Sequence, residues 1–412
     1  MAFNRGRSLD KGLLALTTLA TLAIALGGCG PKASDGDGGA GDVWAADDRF
    51  DRRAMLVDQA GEVIRPNVAA FATDASALHL AVKAWRSGGA DKAERTTAQN
   101  AWKTAFLRWQ TLEVFQVGPA AMDSAALRTR IYSYPLLSPC AVDQATADCD
   151  ATAGCDASVA LVNRKGLDAL EALLFRDDSG HACPPQAAPA TWDGLDETAR
   201  WQKRAAWAEA VALDLQLAAA ELDQAWRVDG GDYVAALAHA GEVGSPLSSL
   251  REAVNHWTDA LFYVDTETKT MKLGQPAGIV ANACGLFAEP CLKALESPFA
   301  HLSKEAIVAN TLALQVAIRG RPLVKGGYGP GIDSWLRAID AAALADTLLA
   351  QVNAAVATAE AIPTPLATAV ADAPEAVKTA FAAQSALAKT MKTQLMTTLG
   401  LDLPDAAAAD AD

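Results

Sequence analysis

Histidine, basic runs and aromatic residues are all scarce in this chain, and each shortage removes a class of activity. Five histidines stand in 412 residues, no two of them four apart, and no His-Glu-x-x-His occurs, which argues against a zincin-type protease site. Gly-x-Ser-x-Gly, the P-loop and a Gly-x-Gly-x-x-Gly turn after a strand are missing too, so common hydrolase and nucleotide-binding signatures are not written here. Lys and Arg number 35 against 49 Asp and Glu, a net charge of −14 with no basic run, which excludes nucleic acid as a natural partner. No Cys-x-x-Cys pair and no zinc-finger spacing appear, so a structural zinc site is not expected. Aromatics make up 6%, and Gly and Pro thin out away from the ends. What remains is an alanine-rich chain, 51% hydrophobic, a composition that favours closely packed helices over sheets. Its length supports one large or two medium domains.

The N-terminus carries the sharpest signal. Arg5, Arg7 and Lys11 precede an apolar run from Leu13 to Leu26, too short to span a membrane as a folded helix but suited to a signal peptide. It ends Leu26-Gly27-Gly28-Cys29, which is similar to a bacterial lipobox. That similarity implies cleavage after residue 28 and lipidation of Cys29, a multi-chain anchor strong enough for stable membrane attachment. Gly30, rather than Asp, follows the cysteine and points to the outer membrane, with the domain facing the periplasm or the surface. Six cysteines remain: Cys140, Cys149, Cys155, Cys183, Cys284 and Cys291. An even number in an exported chain predicts up to three disulfides. Cys284 and Cys291 are close enough to staple their own loop, leaving the other four to pair within the N-terminal half.

Residues 29–46 read as a flexible tether. Helical patterns then run over 47–87 with a kink at Pro66, over 91–117, over 157–176 and over 193–228, with a Pro- and Cys-rich excursion at 131–156. Asp229-Gly230-Gly231-Asp232 is the candidate hinge. Further helices are predicted near 232–240, 246–264, 276–287, 303–319, 331–360 and 373–400. The expectation is an all-α fold of two helical bundles, 47–228 and 229–403, the second a duplication of the first in style, followed by a disordered acidic tail at 404–412.

Three of these helices place polar groups where apolar ones belong. In 163–176, Leu167, Leu170, Leu173, Leu174 and Phe175 form a broad arc that contains Glu171, with Asp168 at its edge. In 101–117, Trp102, Ala105, Phe106, Trp109 and Leu112 surround Glu113. In 303–319, Ile307, Leu314 and Ile318 flank Asn310, and Ser303 is a candidate N-cap. A carboxylate aimed into a core must be paired, protonated or bound to a cation. Carboxylates from facing helices can build a site for iron or another hard cation. The competing arrangement is an ion-pair network with Arg108, Arg164 or other basic groups. His301 lies just before the third helix, as a ligand or a surface residue.

Together these motifs resemble the imelysin family of bacterial envelope proteins. Ala101-Trp102 through Arg108, then Glu113-Val-Phe-Gln-Val-Gly118, Tyr134-Pro135-Leu136, Gly166-Leu-Asp-Ala-Leu-Glu-Ala-Leu-Leu-Phe175, and Glu296-Ser297-Pro-Phe299-Ala-His301-Leu-Ser303 with Asn310 and Gly320 follow that family's motifs in order. The resemblance implies two helical bundles with a cleft between them, and a role in uptake of iron or another metal with an envelope partner. It also implies Glu113, Asp168 and Glu171 as metal contacts, with Arg108, Arg164, Ser297, His301 and Asn310 lining the cleft. Some members are classed as metallopeptidases through a His-x-x-Glu pair. Here Asp168 replaces that His, which favours a binding protein over a peptidase; the remaining alternative is a non-catalytic scaffold with its carboxylates in salt bridges.

Overall fold

A computed structural model describes residues 49–150, 154–285 and 289–408. The expected signal peptide, tether and lipidated Cys29 lie outside these residues. Sixteen α-helices are described. The first nine are α1 (Arg52–Asp58), α2 (Arg65–Ser87), α3 (Lys92–Glu113), α4 (Met122–Ile131), α5 (Pro139–Asp148), α6 (Leu167–Phe175), α7 (Glu197–Trp226), α8 (Tyr233–Ala238) and α9 (Leu250–Leu261). The rest are α10 (Ser303–Arg319), α11 (Ile332–Ala338), α12 (Ala342–Ala361), α13 (Leu366–Asp372), α14 (Pro374–Thr390), α15 (Met396–Leu399) and α16 (Asp405–Ala408). Among the described residues there is no strand, only isolated bridges.

The long helices form because apolar residues recur at helical spacing and side-chain caps start them. On α2, Val68, Phe71, Ala75, Leu78, Val82 and Trp85 are buried, one continuous stripe. Asp91 and Asp196 accept backbone N–H bonds at the starts of α3 and α7, satisfying donors that no helix turn can pair. Pro66 sits in the first turn of α2, next to a π-helical segment at Gln59–Ile64. The missing proline N–H falls where the hydrogen-bonding pattern changes from π- to α-helical. On α7, buried Ala205, Ala206, Ala208, Ala212, Ala218 and Ala219 let α2 approach closely.

α2 packs between α3 and α7, while α10, α12 and α14 stack in series, and α3 meets α10. One hydrophobic core cluster runs from Met55 to Ala407, with a smaller one around Leu273, Ile307, Ile362 and Val377. Three disulfides close it: Cys140–Cys183, Cys149–Cys155 and Cys284–Cys291, the pairing within halves that the sequence predicts.

Four segments differ from the sequence reading. The motif helix begins at Leu167 rather than near 157, because Gly166 adopts φ +91° at its N-cap. α5 occupies part of what reads as an excursion, and α4 fills the unassigned stretch just before it. No helix spans 276–287 among the described residues; an eleven-residue π-helix at Val264–Gly274 precedes that stretch instead. Residues of the expected tail form α16, with Ala407 buried.

Candidate functional site

The short motif helix α6 is held at both ends by α3. The Trp102 indole N–H donates to the Leu167 carbonyl at 2.8 Å, and Gln99 Nε2 and Arg95 Nε each donate to the Leu174 carbonyl at 2.7 Å. Glycine is required at its start: besides the positive φ, a Cβ on Gly166 would come within 3.0 Å of the Ile131 carbonyl oxygen. With α6 fixed so, Asp168 and Glu171 are buried. Glu171 Oε1 accepts from Ser297 Oγ at 2.9 Å, the Phe299 N–H at 2.9 Å and the Ala300 N–H at 2.8 Å. Asp168 Oδ2 accepts from Ser133 Oγ at 2.7 Å, and its Oδ1 from the Ala169 N–H at 3.0 Å. Burial pushes Glu171 up to about 8 and Asp168 to about 7 against these donors, and the charge of Asp168 adds to the rise at Glu171. Desolvation outweighs hydrogen bonding at both groups.

A second polar layer lies next to this corner. Glu113 is bridged by Arg128, with Nη2 to Oε2 at 2.8 Å and Nε to Oε1 at 3.3 Å, and it accepts the Tyr263 hydroxyl at 2.6 Å. Burial alone would lower the Arg128 guanidinium, but Glu113 holds it above its ordinary value. Arg128 also donates to the Tyr134 carbonyl at 3.1 Å, which ties in the Tyr134-Pro135 loop. Lys272, wholly buried, places its Nζ 2.7 Å from Glu296 Oε1, 2.6 Å from Gln110 Oε1 and 2.9 Å from Asn310 Oδ1. Asn310 in turn donates to the Gln110 carbonyl at 2.6 Å, and the Tyr132 hydroxyl donates to Glu296 at 2.7 Å. Burial, with Glu296 and Asp168 nearby, raises the Tyr132 hydroxyl far above the usual phenol range. Buried Lys272 and half-buried Arg128 therefore each face a buried carboxylate, the condition under which such charges are tolerated.

The π-helix explains the second layer. Its wider turn, with bonds from i to i+5, brings Tyr263, Thr268 and Lys272, spaced five and four apart, toward α3 and α10. An α-helical turn would fan these three around the axis. Where α3 ends, Gly118 has φ +54°, and a Cβ there would lie 2.3 Å from the Tyr233 ring. The last glycine of the Glu113–Gly118 motif is thus the seat of that tyrosine.

Ser297 and Asn310 join the cluster as the sequence predicts, and Glu113, Asp168 and Glu171 are all buried. Arg108 does not: it pairs with Asp74 at 3.1 Å and with Asn67. Arg164 gives its carbonyl to Trp207 and reaches neither glutamate, because α6 begins after it rather than through it. His301 is exposed with φ +60°. Ser303 does not cap α10; its Oγ accepts the Ser297 N–H at 3.1 Å. Helical-wheel reasoning missed Gln110, Arg128, Tyr132, Tyr263, Lys272 and Glu296. Glu296 alone was within a quoted motif; a lysine in a stretch without 3.6 periodicity gives no sign of burial.

Whether a bound metal suits this site is decided by its donors. N–H and O–H groups converge on Glu171 Oε1 and on both oxygens of Asp168, and among the described residues no three His, Cys, Asp or Glu side chains gather closely enough to hold an ion. Glu113, Asp168 and Glu171 do not form a single ligand set, and the residues do not fit a resident ion.

An all-α chain with buried carboxylates satisfied by serine, tyrosine and backbone donors is what the fold and site define. The chain belongs to the imelysin family, whose profile matches residues 64–394. It is similar to the crystal structure of a candidate iron-regulated protein A precursor from Parabacteroides distasonis, at 19% identity and a TM-score of 0.65, covering 84% of this chain and 94% of that one. It is likewise similar to an imelysin-like protein from Psychrobacter arcticum, at 16% identity and a TM-score of 0.62, covering 86% and 96%. No curated protein matches it.

Proposed function

We propose that this protein is a lipid-anchored, non-catalytic component of iron uptake in the bacterial envelope, one that binds a metal-bearing ligand without chelating a bare ion at Asp168 and Glu171. The observation that carries the reading is the saturation of Glu171 Oε1 by three protein donors. An oxygen that already accepts three hydrogen bonds is a poor proton acceptor and a poor metal ligand, and those donors hold the carboxyl in place as a structural acceptor. Family membership and the iron-regulated description of the Parabacteroides neighbour favour an iron-linked role. The lipobox-like Leu26-Gly27-Gly28-Cys29 supports the anchor and Gly30 the outer membrane.

The test is complementation of a deletion strain under iron limitation. Glu171→Gln keeps the accepting oxygen and should restore growth, whereas Cys29→Ser should shift the protein to the soluble fraction and fail. If Glu171→Gln accumulates to the normal level, stays folded and yet fails, the carboxylate acts chemically and the metal-centred or peptidase reading takes over.

A further inference from the structure

A cavity of about 550 Å³ opens beside Tyr263, in the volume range of small-molecule sites. Gly118, Tyr233 and Phe262 form its apolar wall, and Glu252, Asp259 and Glu267 line its rim and floor. Among the described residues no Lys or Arg lines it; His256 is its one basic side chain. The cavity shares no residue with the Asp168–Glu171 corner, and its occupancy is independent of the iron-linked reading.

We infer that this cavity binds an organic cation, an amine or guanidinium on a short apolar stem. Two carboxylates, Asp259 and Glu267, line it with no direct ion pair among the described residues; Arg128 and Lys272 act on Glu267 only from behind the wall, where each is paired to another glutamate. Asp259 Oδ1 is buried and has no hydrogen-bond partner. Glu267 is hydrogen-bonded by the neighbouring Thr266 hydroxyl. By contrast, the two glutamates behind the same wall, Glu113 and Glu296, are matched to Arg128 and Lys272. Burial raises both cavity acids, Asp259 to about 6, with His256 opposing it and Asp402 adding to it; at Glu267 the Thr266 hydroxyl, Arg128 and Lys272 oppose the rise and Glu113 adds to it. A ligand cation would relieve that desolvation cost. A bare metal ion is the poorer occupant: no ligand triple exists here among the described residues, and apolar surface dominates the walls. An alkyl stem would cover that surface while the charged head lies against carboxylates and the tyrosine or phenylalanine faces.

The experiment is calorimetric titration of the full chain, in non-ionic detergent, with butylguanidinium and with its neutral isostere butylurea. Butylguanidinium should bind saturably and butylurea at least about tenfold more weakly, the ratio expected of a charged hydrogen-bonded group. Glu267→Gln and Asp259→Asn should each weaken butylguanidinium by about tenfold. Glu375→Gln, on an exposed surface pair with Lys378, should leave it unchanged. Asp259 is only half-buried, so its variant keeps the test open if Glu267→Gln melts early. N-acetyl Ala-Arg-Ala amide binding tighter than butylguanidinium would assign the cation to a partner's side chain, and the reverse order to a free small molecule; both support the site. Equal binding of the two isosteres, no saturation up to about 10 mM, or an equal loss in Glu375→Gln overturns it.

Discussion

Glu171 takes three donors on one oxygen, and those donors govern how its replacements behave. Glu171→Ala would leave the Phe299 and Ala300 amides and the Ser297 hydroxyl buried without an acceptor, a loss of about 3 kcal/mol or more. Glu171→Gln should cost far less, and urea denaturation of both variants would show the difference. The pH dependence has a definite sign. Asp168 and Glu171 rise from ordinary values of 3.8 and 4.5 to about 7 and about 8, so between those limits the folded chain holds more protons than the unfolded one. Their contribution to stability is therefore greatest at the acid end and shrinks as pH climbs from about 4 to about 8. Urea midpoints at pH 5, 7 and 9 should fall, and the double variant Asp168→Asn/Glu171→Gln should flatten that slope. The helical wheel shows these carboxyls to be buried, since an arc of leucines leaves them nowhere else to go. It does not identify their partners, because Ser133 and Ser297 lie in connections that have no period to read.

At the scale of elements, the π-helical Val264–Gly274 segment does most to arrange the interior. Its sequence reads as a connection, since Tyr263, Thr268 and Lys272 fall on different sides of a 3.6-residue wheel. Lys272→Met would strand Glu296 as an unpaired buried charge and should cost about 3–5 kcal/mol. Adding Glu296→Gln should recover part of it, which a double-mutant cycle in urea would measure. Gly118→Ala combines a left-handed φ with a 2.3 Å approach to the Tyr233 ring, and should lower stability by about 2 kcal/mol or more. Helices with strong stripes and clear stops were readable to within a few residues: Ser303–Arg319 emerges with the predicted bounds. Those depending on a glycine's backbone or on a wider turn were not.

Across the whole molecule, the class of fold and the Cys284–Cys291 staple could be read from composition, export signal and cysteine spacing, whereas spacing left open how the other four cysteines pair. Which helix faces which could not, because periodicity describes each helix alone and is silent on its neighbours. The Cys140–Cys183 bridge spans 43 residues and ties α5 to the loop after α6. Replacing both cysteines by serine should cost roughly 2–4 kcal/mol, read as a lowered melting temperature.

The polar cluster joins residues far apart in the chain: Glu171 with Ser297, 126 residues on; Glu113 with Tyr263, 150 on; Gln110 with Asn310, 200 on. Synthesis delivers these partners in order, so the first half emerges with Glu171 lacking all three of its donors and Glu113 lacking Tyr263. Closure of so many distant contacts is slow, and a nascent chain in that condition is a client for chaperones and envelope proteases. A chain stopped anywhere before Asn310 would therefore not persist as a half-size protein; it would be degraded with its polar interior unsealed.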